Sequence, residues 1–361
     1  MISRTLSRYF AGRFFGAAIG VFVGVFVLVV LVDYVEMTRR AAEIPNASPL
    51  LVAQISLYRV PQVTERIMPF SVLVGAMMCY LNLSRRLELV VARSAGISAW
   101  QFVAPALAVS LLLGIAATAI YNPVSAALRE QSKRLEAQLF GEKGGGQGTG
   151  GFWARQRSVD GNSVINAVSS RSQGSELDGV TVFTFDAAGQ FQERIEAKGA
   201  ILEPGHWRLK DAHVFSSAAP PRQHPSLLLP TSLTPAQVRE SFATPETLSF
   251  WQLPQYIELA DQAGLMAAGY RLQYQVLIAR PFLLTAMVLL AASVSLRFFR
   301  MGGVTKMILG GITAGFLLYV ISKVTEDLSK AELMHPVAAA WLPVLVGALT
   351  GFVALLYQED G

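Results

Sequence analysis

The sequence predicts an α-helical membrane protein with six transmembrane helices, arranged 3+3 around an inserted antiparallel β domain. Three observations lead to that fold class. Of the 361 residues, 52% are hydrophobic and 15% charged, against roughly 25% charged in an ordinary soluble domain. Six apolar runs approach or exceed the roughly 20 residues that cross a bilayer. The net charge of +5 is also uneven: residues 122–272 hold 14 Lys/Arg and 15 Asp/Glu, and the remainder 16 and 10. Excess positive charge in short clusters beside hydrophobic runs is the pattern of membrane topology, and it argues against nucleic acid as a partner.

The first run, residues 14–32, carries no charge over 19 residues; 67–84 carries none over 18, and 94–128 none over 35, enough for a loop and a span. After the middle region come 281–296, extended upstream to about 274, then about 304–322, and 337–357. The expected domains are therefore 1–128 with spans one to three, 129–270 with the β domain and its connectors, and 271–361 with spans four to six. Arg4, Arg8 and Arg13 before the first span look like the start of a signal peptide. The apolar run exceeds a signal core, and Asp33-Tyr-Val-Glu36 stands where small cleavage-site residues would be needed, so an uncleaved anchor is expected.

Orientation follows from the distribution of basic residues. The amino terminus, the 84–98 loop and the 297–306 loop together hold nine Lys/Arg, and with the carboxyl tail that side has three acids. The opposite side, the long insert aside, has six Lys/Arg and seven acids. Both termini are expected in the cytoplasm and the insert outside, which in a bacterium is the periplasm.

The insert opens on residues 141–151, GEKGGGQGTGG. A phosphate loop needs Gly-Lys-Ser/Thr opening a helix; Lys143 is followed by glycine and by no apolar helix, so a connector is expected. Beyond it, apolar residues alternate with polar ones in 180–185, 191–197, 201–202 and 207–215, separated by turn signals at 186–189, at Lys198-Gly199 and at Glu203-Pro-Gly205. Short strands joined by tight turns predict an antiparallel sandwich or jelly-roll-like domain. From 248 to about 269 the apolar spacing is helical and returns the chain towards the membrane.

Few residues in the sequence bear on mechanism. In 84–98, SRRLELVVARSAGIS, Leu87, Val90, Val91 and Ser94 share one helical face and Glu88 lies to its side as the one acid of a basic loop. A short interfacial helix ended by Gly96 is expected, with Glu88 either paired to a neighbouring arginine or presented to a basic groove on a cytoplasmic partner. Arg280 precedes Pro281 at the start of the fourth span. An arginine at mid-membrane costs about 3 kcal/mol even on lenient scales, so it must face protein, water or an anionic headgroup. Arg39, Arg40, Arg59 and Arg66 stand among Asp33, Glu36, Glu43 and Glu65, either as solvated loop charge or as ligands for lipid phosphate. One cysteine, Cys79, allows no internal disulfide, and the four histidines lack metal-ligand spacing. No nucleophile elbow, nucleotide loop or paired carboxylates inside the spans is seen, so no enzyme and no metal site is expected. That lack of acids also disfavours an ion-coupled transporter.

The sequence resembles the LptF/LptG (YjgP/YjgQ) family of lipopolysaccharide export permeases over nearly its whole length, with features favouring the LptG branch. The resemblance rests on the 3+3 plan around a β domain, on residues 85–98, on Gly151-Phe-Trp-Ala-Arg155 opening the β domain, and on 248–280 leading into the fourth span. It implies a periplasmic β-jelly-roll and a permease subunit of an ATP-driven exporter that takes lipopolysaccharide from the inner membrane to a periplasmic bridge. The implied partners are an LptF-like second permease, an LptB-like ATPase dimer that binds ATP and Mg, and an LptC-like membrane-anchored periplasmic protein, with no cofactor in this chain. The helix carrying Glu88 becomes the coupling helix, flanked by Arg85, Arg86 and Arg93. Arg39 and Arg40 match a region the family uses near lipid phosphates, whereas Asp33 departs from it by placing an acid there. A scaffold that grips a protein partner and moves no lipid is the alternative.

Overall fold

The computed structural model describes residues 4–42, 44, 48–140, 152–158, 161–171, 176–186, 190–216, 220–231, 245–262, 267–300 and 304–359. These form two compact units, one made of 1–135, 249–251 and 268–361, the other of 136–248 and 252–267.

The first unit is a bundle of helices α1 (Arg4–Ala41), α2 (Pro49–Arg85), α3 (Glu88–Ser94), α4 (Ala99–Ala116) and α5 (Asn122–Phe140, entering the second unit at its end), with α7 (Ala268–Arg300), α8 (Val304–Lys330) and α9 (Pro336–Glu359). The short α6 (Leu253–Gln262) belongs to the second unit. Six helical stretches are long and apolar enough to cross a membrane, as expected, with α4 and α5 forming one continuous stretch of 42 residues. At about 1.5 Å per residue, the 38 residues of α1 and 37 of α2 run well beyond the ~30 Å of hydrocarbon. Each therefore carries charged turns that the apolar runs alone do not mark as helix. The sequence does mark the start of α2, where Ser48 is the N-cap and Pro49 fills the first position.

Helix α7 is the hub, packing against α2, α4, α8 and α9. Its most apolar window is 72% buried, whereas that of α1 is 6% buried, so α1 packs one face on α2 and leaves another open to lipid or to another chain. Two close approaches set the packing. A Cβ on Gly75 would lie 2.6 Å from Ala18 Cα, and one on Gly114 2.3 Å from Pro281 Cα. Gly114→Leu should therefore force α4 and α7 apart. Overpacking of this kind costs about 1–3 kcal/mol, and a lowered unfolding temperature of the detergent-purified protein would report it.

Pro281 has no N–H for the carbonyl of Leu277, four residues earlier. The hydroxyl of Thr118 supplies the missing donor at 2.9 Å. Thr118 lies in a π-turn, Ala117–Tyr121, that joins α4 to α5, with the Asn122 N–H donating to Ala117 O.

In the second unit six strands form one antiparallel sheet in the order β1-β2-β3-β4-β5-β6: β1 (Phe152–Ser158), β2 (Gly161–Arg171), β3 (Glu176–Phe185), β4 (Phe191–Glu203), β5 (His206–Ser216) and β6 (Arg222–Pro230). An antiparallel domain between the helix groups is as expected. Its described strands follow one another as consecutive hairpins, without the crossovers that distinguish a jelly roll from a meander. The Glu203-Pro-Gly205 turn is also as expected, with Gly205 at φ +81°.

The expected turn at Lys198-Gly199 does not occur; β4 runs straight through it. There the sheet has a crease. Val168, Gly179, Lys198, Asp211 and Pro225, one in each of β2 to β6, are left out of the ladder pairings on either side. Gly179 and Asp211 take positive φ, +61° and +50°. Pro225, which has no N–H to donate, sits in the row where none is required. The extra residue resets the in-and-out alternation. Leu177, Ile195, Ala197, Ala200, Leu202, Trp207, Leu209 and Ala212 thereby all reach one buried cluster despite lying on both sides of the crease. Lys198 crosses to Asp211 at 2.9 Å, holding its carboxyl below the usual carboxylate range.

Candidate functional site

The first candidate site is the turn between α2 and α4. Leu87 adopts a left-handed conformation, φ +59°, that breaks the helix and starts α3 at Glu88. Gly96 ends the segment at φ +78°, as the sequence predicts. Leu89 and Ala92 are buried against the bundle. The expected apolar face is present and points away from it, with Leu87 59%, Val90 44% and Val91 65% exposed. Arg85, Arg86 and Arg93 are exposed around it. Glu88 is half-buried and accepts a hydrogen bond from the Tyr9 hydroxyl at 3.0 Å, rather than one from a neighbouring arginine. Arg13 lies over the Tyr9 ring, 5.8 Å from its centroid. The sequence reading missed Tyr9, which is 79 residues away and lies on another helix.

What this turn can do is bind. It presents apolar side chains to a partner and keeps a carboxylate at their edge, oriented by one phenol and backed by the first turns of α1. Exposed apolar groups of this size on a short rigid turn, rimmed by charge, are the features of a protein contact.

The second candidate site lies inside the bundle, where Arg280 of α7 forms an ion pair with Glu65 of α2. Both are buried, with 9% and 5% of their side chains exposed. Asn122 Nδ2 donates to Glu65 Oε1 at 2.9 Å and Ser125 Oγ to Oε2 at 2.6 Å. Both carboxylate oxygens thus have donors, and Arg280 faces protein among the three environments its insertion cost permits. Asn122 Oδ1 accepts from the Phe250 backbone at 2.8 Å, and the π-turn carbonyl of Ala119 from Trp251 Nε1 at 3.2 Å. Tyr121 OH donates to Pro61 O at 3.0 Å and lies 2.8 Å from Thr64 Oγ1. This node ties α2, α5 and α7 to the segment preceding α6.

Glu65 corrects the expectation that the spans lack acidic residues, since it and Asp33 are buried within the long helices α2 and α1. Asp33 is answered by Arg59 of α2, whose Nε lies 2.9 Å from Oδ1. Asp33, the acid beside the expected lipid-phosphate arginines, is thus the internal partner of Arg59. Arg39 and Arg40 instead stay at the surface, 77% and 56% exposed, both paired with Glu36 of their own helix at 3.0 and 2.9 Å. Such exposed intrahelical pairs are weak. The structure therefore separates the predicted residues: Glu88, Arg85, Arg86 and Arg93 share one turn, Arg39 and Arg40 share another, and Arg280 stands apart from both.

Comparison with known proteins agrees with this plan. The family model "Lipopolysaccharide export system permease LptF/LptG" matches residues 8–357. The lipopolysaccharide export system permease protein LptG of Escherichia coli K12 is 25% identical over 322 residues, 87% of each chain. That of Haemophilus influenzae Rd is 26% identical over 294 residues, 80% of each chain. With a match that runs through both helix groups and the inserted β domain, the chain belongs to the LptF/LptG family of lipopolysaccharide export system permeases.

Proposed function

We propose that this multi-pass inner-membrane permease works as the transmembrane subunit of an ATP-driven exporter, extracting lipopolysaccharide from the outer leaflet and passing it to a periplasmic β-jelly-roll bridge. The observation that carries the reading is the turn around Glu88, an exposed apolar surface with an oriented carboxylate and no neighbour to cover it among the described residues. In this reading an LptB-like ATPase dimer, which holds ATP and Mg, docks there, with Arg85, Arg86 and Arg93 around the contact. The Tyr9 to Glu88 bond puts the start of α1 on the same side as this turn, which supports placing both in the cytoplasm; a periplasmic β domain rests on the distribution of basic residues.

The energetics call for such a partner. Moving a methylene from bilayer to water costs about 0.8 kcal/mol, so a single long acyl chain requires about 10 kcal/mol. An ATP-bound state must favour a collapsed lipid cavity over an open one by a comparable amount. One wall of that cavity is expected from an LptF-like second permease. The exposed middle of α1 supports this, where Cβ positions at Gly12, Gly16, Gly20 and Gly24, each four residues apart, meet nothing within 4 Å. Arg39 and Arg40 are the lipid-phosphate candidates best placed by exposure, and an LptC-like protein is the expected receiver of lipid.

Purification of the tagged protein from its native membrane in mild detergent should retain a second six-span permease, a soluble ATPase and lipopolysaccharide, identified by mass spectrometry. A photo-crosslinker in the α1 face at Val27 or Leu31, both exposed, should give a lipopolysaccharide adduct. Absence of an adduct from every position on α1 and α8, with the protein partners retained, would instead support the scaffold reading.

A further inference from the structure

A groove runs between the first turns of α1 and the start of α4, and the recess beside it is lined by the Tyr9 that orients Glu88. It encloses about 590 Å³, lined on one side by Arg4, Ser7, Arg8 and Ala11 and on the other by Gln101, Ala104, Pro105 and Ala108 among others. An adjoining recess of about 790 Å³ shares Arg4 and Arg8 and adds Arg13. The two wall chemistries are ordered along the helices. Arg4 and Arg8, one turn apart on the same face and both exposed, stand at the mouth. Beyond them the wall is small and apolar, and it continues into Leu112, which is 65% exposed.

The geometry points to a binding site for an anionic glycerophospholipid of the leaflet in which α1 begins, its phosphate on Arg4 and Arg8 and one acyl chain in the lane along Ala104, Ala108 and Leu112. Charge at the mouth and hydrocarbon surface beyond match the two halves of such a lipid in the right order. A basic pocket between helices at a membrane surface is the known physical form of headgroup recognition. Phosphatidylglycerol is the probe of choice, because its phosphate carries a negative charge that no headgroup cation offsets, whereas phosphatidylcholine carries its own cation. Lipopolysaccharide export takes place in the opposite leaflet on the orientation proposed above, so this lipid is a bound component and not the cargo.

The test is native mass spectrometry of the purified permease complex in nanodiscs of equimolar phosphatidylglycerol and phosphatidylcholine, followed by detergent release. Phosphatidylglycerol should be retained about twenty-five-fold over phosphatidylcholine, at about fivefold for each of the two arginines. Arg4→Gln with Arg8→Gln should abolish the preference, whereas Arg134→Gln, an exposed arginine paired with Glu130 on α5, should leave it intact. Ala108→Phe, which fills the lane, should lower retention of both lipids with the arginines untouched. Three results would overturn the assignment: no preference in the parent protein, a preference that survives the double arginine variant, or lipopolysaccharide as the mass that the double variant loses.

Discussion

Glu65→Ala is expected to lower the stability of the membrane bundle by about 3–5 kcal/mol, because it leaves the Arg280 guanidinium buried without its counter-charge. For a chain of this size that corresponds to a fall of roughly 4–7 °C in unfolding temperature. The matching change Arg280→Met should be comparably harmful, since Glu65 then keeps two neutral donors, Asn122 and Ser125, and loses its cation. Replacing both, Glu65→Leu with Arg280→Met, should recover most of the loss, as buried pairs exchanged for apolar groups of similar volume commonly do. Thermal unfolding of the detergent-purified complex measures all three. The set also separates two roles for Arg280. An arginine that acts only inside the bundle changes stability in step with Glu65, whereas one that holds lipid would reduce lipopolysaccharide crosslinking in Arg280→Met without a shift in unfolding temperature.

Glu88→Arg should leave insertion and folding intact and reduce retention of the ATPase about thirtyfold or more. Removing one member of a buried charge contact costs at least about 2 kcal/mol, and a like charge in its place costs more. Lipopolysaccharide release by the reconstituted complex should fall with it. Tyr9→Phe keeps the carboxylate and removes only the hydroxyl that orients it, so a loss of about fivefold is expected there, in line with one hydrogen bond. Normal ATPase retention and normal transport in Glu88→Arg would remove this turn from the coupling path.

The helix count, the 3+3 grouping and the position of the β domain were legible because each rests on local signals: uncharged runs, a glycine-rich break and period-two alternation. Gly96 and Gly205 were legible for the same reason, as each ends its segment with its own backbone conformation. Lys198-Gly199 was misread because a small residue beside a charged one is also the signature of a bulge. Only the partner strands, with Gly179 and Asp211 aligned beside it, distinguish a crease across a sheet from a turn. The Glu65 to Arg280 pair was hidden for another reason. Arg59, Glu65 and Arg66 break the apolar run, so the sequence places them in a loop. The burial of Glu65 and the partial burial of Arg59 become apparent only once Ser48-Pro49 is taken as the helix start and α7 is docked beside it, while Arg66 stays exposed. Pairings 79 and 215 residues apart, Tyr9 to Glu88 and Glu65 to Arg280, carry no mark in either segment alone.

The π-turn at Ala117–Tyr121 sets the rotational phase of everything that follows it. A π-turn holds one residue more than the α-turn it replaces, and one residue of α-helix is about 100° of rotation. Thr118, in the first half of the π-turn, is aimed at the carbonyl that Pro281 leaves unpaired; Asn122 and Ser125, after the π-turn, are aimed at Glu65. Without the additional residue the third span would keep its length to within about 1.5 Å and its hydropathy unchanged. It could then satisfy α7 or α2, but not both at once.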